Sequence, residues 1–338
     1  MKILYFILFP IVVYFTSIIM IKYSFLLSQS GDSHQKFAEK KNIPLIGGIF
    51  VLINYLILFH TNFNLFNYFL IIIFILGLFS DTKFIRSPII RFLSQVIIIL
   101  LLVIFNDLSI NYTRIIFLDY LLDNNFFNIF FVSFCIIILI NGSNFIDGLN
   151  TLLIGYYLIV SIILYKLNLV DILEFNSFYF LLWILSLTFL YFFNFFKKIF
   201  MGDNGAYVLG LIIAFVLIKL YEVYNVISPF FIILLLWYPC FELLFSIIRK
   251  FKFKKSPLEP DTQHFHQLFY YYLVKSKISK NNINSISSNL INLYNLIILL
   301  LASEYIYNSQ FQIFLILINI FVYSYLYFKL FFLKFNKK

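Results

Sequence analysis

Eleven apolar segments of helical length run through this 338-residue chain and leave little sequence for a water-soluble fold. Hydrophobic residues make up 62% of the chain and charged residues 12%, which is more apolar surface than a soluble globule can bury. Because backbone polar groups in a bilayer must be hydrogen-bonded within the chain, we expect an all-α protein that crosses the membrane about ten or eleven times. The segments cover about residues 3–21, 45–60, 67–80, 89–106, 126–141, 151–166, 177–193, 205–220, 228–248, 286–303 and 311–331.

Basic residues separate the two ends of these segments. If the N-terminus lies outside, all but four of the 25 Lys and Arg fall in cytoplasmic connections or in a cytoplasmic C-terminal tail. This positive-inside pattern accounts for the net charge of +10, so we expect no nucleic-acid partner. The first segment has no small-residue cleavage site after it and is interpreted as a retained helix. No long polar linker divides the chain, which predicts one transmembrane domain over residues 1–338.

Five polar islands end or interrupt the apolar segments on the predicted cytoplasmic side. An ionisable group at the edge of an apolar span is costly, which makes it a candidate functional residue. The islands are Lys40–Gly48, Gly77–Lys83, Asn141–Asn150, Phe200–Ala206 and, with Glu242 and Arg249 before it, Ser256–Gln267.

The first two islands each allow two interpretations. Lys40 and Lys41 precede Pro44 and the pair Gly47–Gly48, a pattern that suits cations and close backbone approach around a phosphate. The alternative is a set of topogenic lysines before a helix start. Asp81 ends the third segment, either as a carboxylate for Mg²⁺ or as the cap of a turn.

The third and fourth islands combine carboxylates with amides and glycines. On a helix, Asn141, Asn144 and Asp147 would spread over about 120° and face one cavity, or they would form a polar clamp between helices. Asp203 stands between two glycines at the start of the eighth segment. A helix N-terminus there would attract phosphate, and the carboxylate could hold Mg²⁺ against it; a plain glycine-bounded turn is the alternative.

The fifth island contributes an acid, an arginine and two of the four histidines. Glu242 and Arg249 lie seven residues apart, on nearly one face of a helix. His264 and His266 have no third His or Cys nearby for a zinc site, but they can donate to a diphosphate. Together the islands predict a cleft at the membrane surface for Mg²⁺-assisted phosphoryl transfer that involves a lipid.

In this order, the islands resemble the motifs of the polyprenyl-phosphate N-acetylhexosamine-1-phosphate transferases, glycosyltransferase family 4. The resemblance covers about residues 36–268, and residues 281–338 would add two C-terminal helices. The stretch with Asp261, His264 and His266 is closer to the branch that makes lipid-linked GlcNAc than to the muramoyl-pentapeptide branch. The matching positions are Pro44, Gly47 and Gly48; Asp81; Asn141, Asn144, Asp147 and Gly148; Phe200, Gly202, Asp203 and Gly205; and Pro257, Pro260, Asp261, His264 and His266.

The resemblance implies a phosphotransferase that joins a sugar-1-phosphate from a UDP-N-acetylhexosamine, by default UDP-GlcNAc, to polyprenyl phosphate and releases UMP. It implies a multi-pass protein of the bacterial inner membrane, with the active site facing the cytoplasm and a tendency to form homodimers. The reaction would be the first membrane step of a surface polysaccharide such as O-antigen, capsule or a teichoic-type polymer.

The resemblance also implies roles for individual residues. Asp81, Asp147 and Asp203 would be catalytic, and Asp203 with Asp81 would hold Mg²⁺, for which Mn²⁺ could substitute. The substrates would be bound by Lys40, Asn141, Asn144, Glu242, Arg249, His264 and His266.

The chain departs from the family pattern at several positions, of which Ser80 matters most. Ser80 replaces the first Asp of an acidic pair, so either no base is needed or the enzyme is impaired and serves as a lipid-binding scaffold. A phosphate monoester has a second pKa of about 6, so the lipid phosphate is mostly dianionic at pH 7, which favours the first answer. A transporter is a further alternative, but it would place its charges near the membrane midplane.

Overall fold

The computed structural model describes residues 2–28, 42–59, 61, 64–254, 256, 261–276 and 282–335. These residues form α-helices and contain no strand, apart from one antiparallel bridge between Leu27 and Pro44. The helices are α1 (Lys2–Lys22), α2 (Gly47–Phe59), α3 (Asn64–Asp81), α4 (Pro88–Phe105), α5 (Ile116–Leu122), α6 (Asn125–Ile146), α7 (Leu152–Lys166), α8 (Leu169–Ile172), α9 (Ser177–Phe195), α10 (Gly202–Val223), α11 (Pro229–Leu235), α12 (Trp237–Lys252), α13 (Phe265–Lys275), α14 (Ile283–Ser303) and α15 (Ser309–Phe335).

Every predicted apolar segment coincides with a helix or a helix pair. Within the described residues, α4, α6, α9, α10, α14 and α15 are long and apolar enough to cross a bilayer. The shorter apolar helices are α1, α2, α3 and α7. The chain is therefore an all-α, multi-pass membrane protein, as expected. The side of the membrane on which each terminus lies stays a prediction.

The ninth predicted span, residues 228–248, is wrong as a single helix. It consists of α11 and α12, which are bent by 78° relative to each other. Pro239 explains the break, because proline has no N–H for the carbonyl of Leu235 and its ring clashes with that carbonyl in a continuous helix. The Leu235 carbonyl instead accepts a hydrogen bond from the hydroxyl of Tyr156, at 3.0 Å.

Helix α10 lies at the centre of the bundle and packs against α2, α3 and α6. Its residues are buried without interruption from Asn204 to Ile218, as expected for a helix that is apolar on all sides. A Cβ on Gly48 would lie 2.3 Å from the Gly205 nitrogen, and one on Gly77 would lie 2.4 Å from the Asn204 Cα. Only glycine allows these approaches, so the glycines of the islands bring α2 and α3 onto the first turn of α10.

The two C-terminal helices, α14 and α15, pack against helices of the preceding bundle. Helix α14 lies against α7, and α15 lies against α11 and α13. Helix α15 therefore reaches the segment that holds the two predicted histidines.

Candidate active site

The N-terminus of α10 is held by Asp81 at the end of α3. The Asp81 carboxylate accepts the backbone N–H of Asp203 at 2.9 Å on Oδ1 and that of Asn204 at 3.0 Å on Oδ2. These N–H groups have no partner within their own helix, so the carboxylate satisfies them and complements the positive end of the helix dipole. Gly202, with φ of +71°, provides the left-handed turn from which α10 starts. Both oxygens of Asp81 are thus engaged in capping α10.

The start of α2 joins the same corner through backbone hydrogen bonds. The N–H of Phe200 donates to the Pro44 carbonyl at 2.8 Å, and the N–H of Gly47 donates to the Phe200 carbonyl at 3.0 Å. The Asn204 amide also donates to the Leu45 carbonyl at 3.2 Å. The first and fourth islands are therefore one structural unit. Lys40, predicted to bind substrate, lies outside the described residues.

Asp203 forms an ion pair with Arg91 of α4. The Arg91 Nη1 lies 2.9 Å from the Asp203 Oδ2, and the two side chains are 26% and 24% exposed. Ser80 lies between them, since its hydroxyl donates to the same Asp203 oxygen and accepts from Arg91. The hydrogen bonds to the Asp203 side chain within the described residues all fall on Oδ2. From the sequence, Arg91 is one of the basic residues that the positive-inside pattern places in a cytoplasmic connection, with no further role indicated.

Asp147 lies in the same electrostatic environment, directly after α6. Burial, together with the negative charges of Asp203 and Asp81, raises the pKa of its carboxyl well above the ordinary range, although the Gly202 N–H opposes this. Carboxylates that raise one another's pKa in this way favour a bound cation or proton. Asp81, Asp147 and Asp203, which come from three separate islands, are therefore brought together.

The two asparagines before Asp147 do not share its surroundings equally. The Asn144 amide donates to the Tyr207 hydroxyl of α10 at 3.4 Å. The Asn141 amide donates to the Gln95 side chain of α4 and to the Ile137 carbonyl, at 2.9 Å each. Asn144 thus lies against α10, whereas Asn141 takes part in helix packing, as the clamp interpretation described it.

A second group of predicted residues surrounds Glu242 on α12. Its Oε1 lies 3.0 Å from the His264 Nδ1 and accepts the Phe265 N–H at 3.1 Å. Its Oε2 accepts the Tyr323 hydroxyl of α15 at 2.8 Å. Glu242 is 1% exposed, so this buried carboxylate is fully hydrogen-bonded and fixes the His264 ring.

Arg249 holds the loop before α13. Its Nη2 lies 2.7 Å from the Asp261 carboxylate, and its Nη1 donates to the Gln263 carbonyl at 3.0 Å and to the Tyr327 hydroxyl at 3.2 Å. Burial of Asp261 opposes ionisation, but His264 and Arg249 outweigh it and lower the pKa of the carboxyl below its usual range. The pair is therefore ionised at neutral pH.

His266 links the two groups of residues. Its ring is fully buried, and neither ring nitrogen has a hydrogen-bond partner among the described residues. Burial lowers the pKa of His266 to about 3, so the ring is neutral at pH 7. A Cβ on Gly148 would lie 2.5 Å from its Nε2, which places the ring directly beside the residue that follows Asp147. The ring of Phe145 also contacts that of His264, at 5.0 Å between centroids.

The donor atoms around Asp203 suit a hard cation shared with a ligand. Within the described residues, no three His, Cys, Asp or Glu side chains converge enough to hold a metal ion alone. Mg²⁺ is commonly held by one or two carboxylates, with substrate phosphates and water completing its shell. The carboxylate oxygens of Asp203 and Asp147 fit that description, whereas those of Asp81 are already engaged.

The model of glycosyl transferase family 4 matches residues 63–221. This range contains Asp81, Asn141, Asn144, Asp147 and Asp203. Residues 63–221, slightly less than half of the chain, are thus similar to glycosyl transferase family 4. The family 4 resemblance inferred from the islands is therefore confirmed for this range, which excludes the residues around Glu242 and His264.

One relative of this chain is the undecaprenyl-phosphate alpha-N-acetylglucosaminyl 1-phosphate transferase of Thermotoga maritima. It is 30% identical over 144 residues, which make up 43% of this chain and 42% of the relative. The chain thus matches less than half the length of this relative.

Several residues of the candidate site were missed at the level of sequence. They are Arg91, Tyr207, Tyr323 and Tyr327. A signal existed for the last two, because tyrosines four residues apart in an apolar helix need partners for their hydroxyls. Arg91 had no such signal, since its charge was already explained by topology.

Proposed function

We propose that this protein transfers a sugar-1-phosphate from a UDP-sugar, by default UDP-GlcNAc, to polyprenyl phosphate and releases UMP. The observation that carries the proposal is the meeting of Asp81, Asp147 and Asp203 with Arg91 at the N-terminus of α10. A helix N-terminus and an arginine attract phosphate groups, and carboxylates there suit a cation bound to them. The name of the Thermotoga maritima relative supports the same reaction.

The reaction needs positioning and charge neutralisation more than acid–base chemistry. An oxygen of the lipid phosphate attacks the sugar-bearing phosphorus, a new P–O bond forms, and the bond to the bridging oxygen breaks. UMP leaves with that oxygen and its electron pair. The lipid phosphate is mostly dianionic at pH 7, so it needs no base to remove a proton. Ser80, in place of a family Asp, is compatible with this chemistry, and Arg91 would neutralise phosphate charge.

Mg²⁺ is the cofactor in this proposal, with Mn²⁺ as a substitute. Asp203 and Asp147 would hold the ion together with the diphosphate, and the bound ion would neutralise the charge that develops on the phosphates. Asp81, which the resemblance assigns to the metal, would instead orient Asp203 through its bonds to the first turn of α10.

The residues around Glu242 would bind the nucleotide sugar. His264 carries a donor suited to a diphosphate or a sugar, Arg249 would hold the loop that bears this histidine, and His266 lies against Gly148, next to the carboxylates. Asn144 would assist through Tyr207. Lys40 remains an expected phosphate ligand from the resemblance.

The setting of the reaction is also part of the proposal. The protein would lie in the bacterial inner membrane with this site facing the cytoplasm, and it would catalyse the first membrane step of a surface polysaccharide. The family tendency to dimerise makes a homodimer the expected assembly.

Purified protein in nanodiscs, mixed with UDP-GlcNAc, undecaprenyl phosphate and Mg²⁺, tests the reaction. We expect release of UMP together with a lipid-linked sugar phosphate, and loss of both on addition of EDTA. Competition among UDP-sugars then identifies the preferred donor. Absence of lipid-linked product with every UDP-sugar would refute the proposal and favour an inactive scaffold.

A further inference from the structure

Helix α15 lies outside the family match, yet it directs three polar side chains at the loop before α13. Tyr323, Tyr327 and Lys334 follow one another at spacings of four and seven residues. On an α-helix these positions lie within about 40° of each other, so they form one stripe. The stripe faces residues 261–265 and Glu242, which belong to the proposed nucleotide-sugar site.

Tyr323 acts on the Glu242 carboxylate. Its hydroxyl donates to Oε2 at 2.8 Å, while the other oxygen faces the His264 ring and the Phe265 N–H. The Tyr323 ring packs against Phe241 and Phe265, with centroids 4.9 and 5.0 Å away. The hydroxyl therefore fixes a carboxylate that in turn fixes a histidine.

Tyr327 and Lys334 act on the loop itself. The Tyr327 hydroxyl accepts from Arg249 at 3.2 Å and donates to the Gln263 carbonyl at 3.0 Å. The Lys334 ammonium donates to the Thr262 carbonyl at 2.8 Å. Tyr323 and Tyr327 are 3% and 2% exposed, so both hydroxyls are removed from water and depend on these partners.

We propose that α15 is a clamp on the nucleotide-sugar site, with Tyr323 and Tyr327 as positioning residues for the Glu242–His264 and Arg249–Asp261 pairs. The inference rests on the proposed function, because it assigns those pairs to substrate binding. Neither tyrosine contacts Asp81, Asp147 or Asp203 at the start of α10. We therefore expect the clamp to set the affinity for the nucleotide sugar and to leave lipid binding unchanged.

The variants Tyr323→Phe and Tyr327→Phe test the clamp, because each removes one hydroxyl and keeps the ring. We expect each to raise the KM for UDP-GlcNAc about tenfold, the effect of losing a hydrogen bond to a charged group, with the KM for undecaprenyl phosphate unchanged. Tyr325→Phe is the matched control, since Tyr325 is 58% exposed on the same helix. If the protein is active and both tyrosine variants have the same KM for UDP-GlcNAc as this control, the clamp is overturned and the proposed function stays intact.

A double-mutant cycle separates positioning from general packing. If Tyr323 works through Glu242, Tyr323→Phe has no further effect on KM in a Glu242→Gln background. Equal losses in both backgrounds would mean that Tyr323 acts only through packing, which would overturn its positioning role.

Hydrogen exchange tests the clamp without any activity. In Tyr327→Phe, peptides covering residues 261–268 should exchange about tenfold faster than in Tyr325→Phe, because a bond to the loop carbonyl is lost. If the wild type makes no lipid-linked product, the proposed function fails, and this exchange result alone decides whether α15 holds the loop. Equal exchange in the two variants would overturn the clamp.

Discussion

Two arginine–aspartate pairs of this protein differ sharply in their surroundings. Arg91 and Asp203 meet at 2.9 Å, and about a quarter of each side chain is exposed. Arg249 and Asp261 meet at 2.7 Å, with 6% and 14% exposed, and Arg249 has further partners in Ser246, Gln263 and Tyr327. A partly exposed pair contributes less to stability and can exchange partners with a ligand, whereas a buried pair with several partners is costly to break. The first pair is therefore suited to chemistry and the second to holding a loop in place.

The largest effect is expected at the partly exposed pair, Arg91 and Asp203. Asp203→Asn should reduce Mg²⁺-dependent UMP release about 10³-fold, because it removes the carboxylate best placed for the cation, with little change in Tm. Initial rates and Tm of the purified variant are the measurements. Asp123→Asn, on an exposed turn after α5, is the control. Activity near that of the wild type would contradict the assignment of Asp203.

The buried pair should respond in the opposite way. Asp261→Asn leaves Arg249 without its carboxylate partner, so we expect the free energy of unfolding to fall by about 3 kcal/mol. Denaturant titration of the variant and of Asp123→Asn, in the same detergent, measures this change. If Asp261→Asn lost activity but no stability, the distinction between the two pairs would be wrong.

Acid should destabilise the region of the buried pair through His266. The pKa of His266 is about 3 in the folded protein and about 6.5 when exposed, so the unfolded state binds more protons between these values. The contribution of this neutral ring to stability is complete above pH 6.5 and falls as the pH decreases, by about 2 kcal/mol at pH 5. His266→Gln should therefore flatten the dependence of Tm on pH between 7 and 5. Equal slopes for the two proteins would refute the burial of an uncharged ring.

Asp81 provides a finer test of the first pair. If Asp81 caps α10 and orients Asp203, Asp81→Asn should lower kcat about tenfold without changing the Mg²⁺ concentration that gives half-maximal activity. A metal ligand would behave differently, because its loss would raise that concentration strongly. A Mg²⁺ titration of the variant beside the wild type distinguishes these roles.

The smallest effect is expected at Ser80. Ser80→Asp restores a family carboxylate beside Arg91 and Asp203, and since the lipid phosphate is already dianionic, activity should stay within about threefold of the wild type or rise. Ser80→Ala serves as the comparison that removes the hydroxyl alone. A large gain from Ser80→Asp, absent in Ser80→Ala, would show that a base limits the natural enzyme.

Much of this arrangement could be predicted from the sequence, because bilayer physics leaves few choices. Apolar runs of nearly twenty residues must form helices, and polar islands at one end of successive spans must share one membrane surface. That reasoning predicts that Asp81, Asp147 and Asp203 lie at one membrane surface. The contacts that distinguish the Arg91–Asp203 pair from the Arg249–Asp261 pair were not predicted in this way.

What escaped prediction depends on partners far apart in the chain. The carbonyl of Leu235 can leave its helix because Tyr156 donates to it, and no local pattern reports that contact. Arg91 reaches Asp203 across 112 residues, and Tyr323 reaches Glu242 across 81. Spacing along one helix indicates which side chains share a face, but it does not indicate what that face meets.

Gly48 and Gly77 have a consequence for how proteins of this kind can diversify. Even a methyl group at either position would collide with the backbone of α10, so the junction that carries Asp203 cannot be remodelled by gradual changes in side-chain size. The loop before α13 is held in part by Tyr327 and Lys334 of α15, and a smaller side chain at either position would remove a hydrogen bond without a collision between backbones. Changes in donor preference therefore have more freedom at that loop than at the carboxylates.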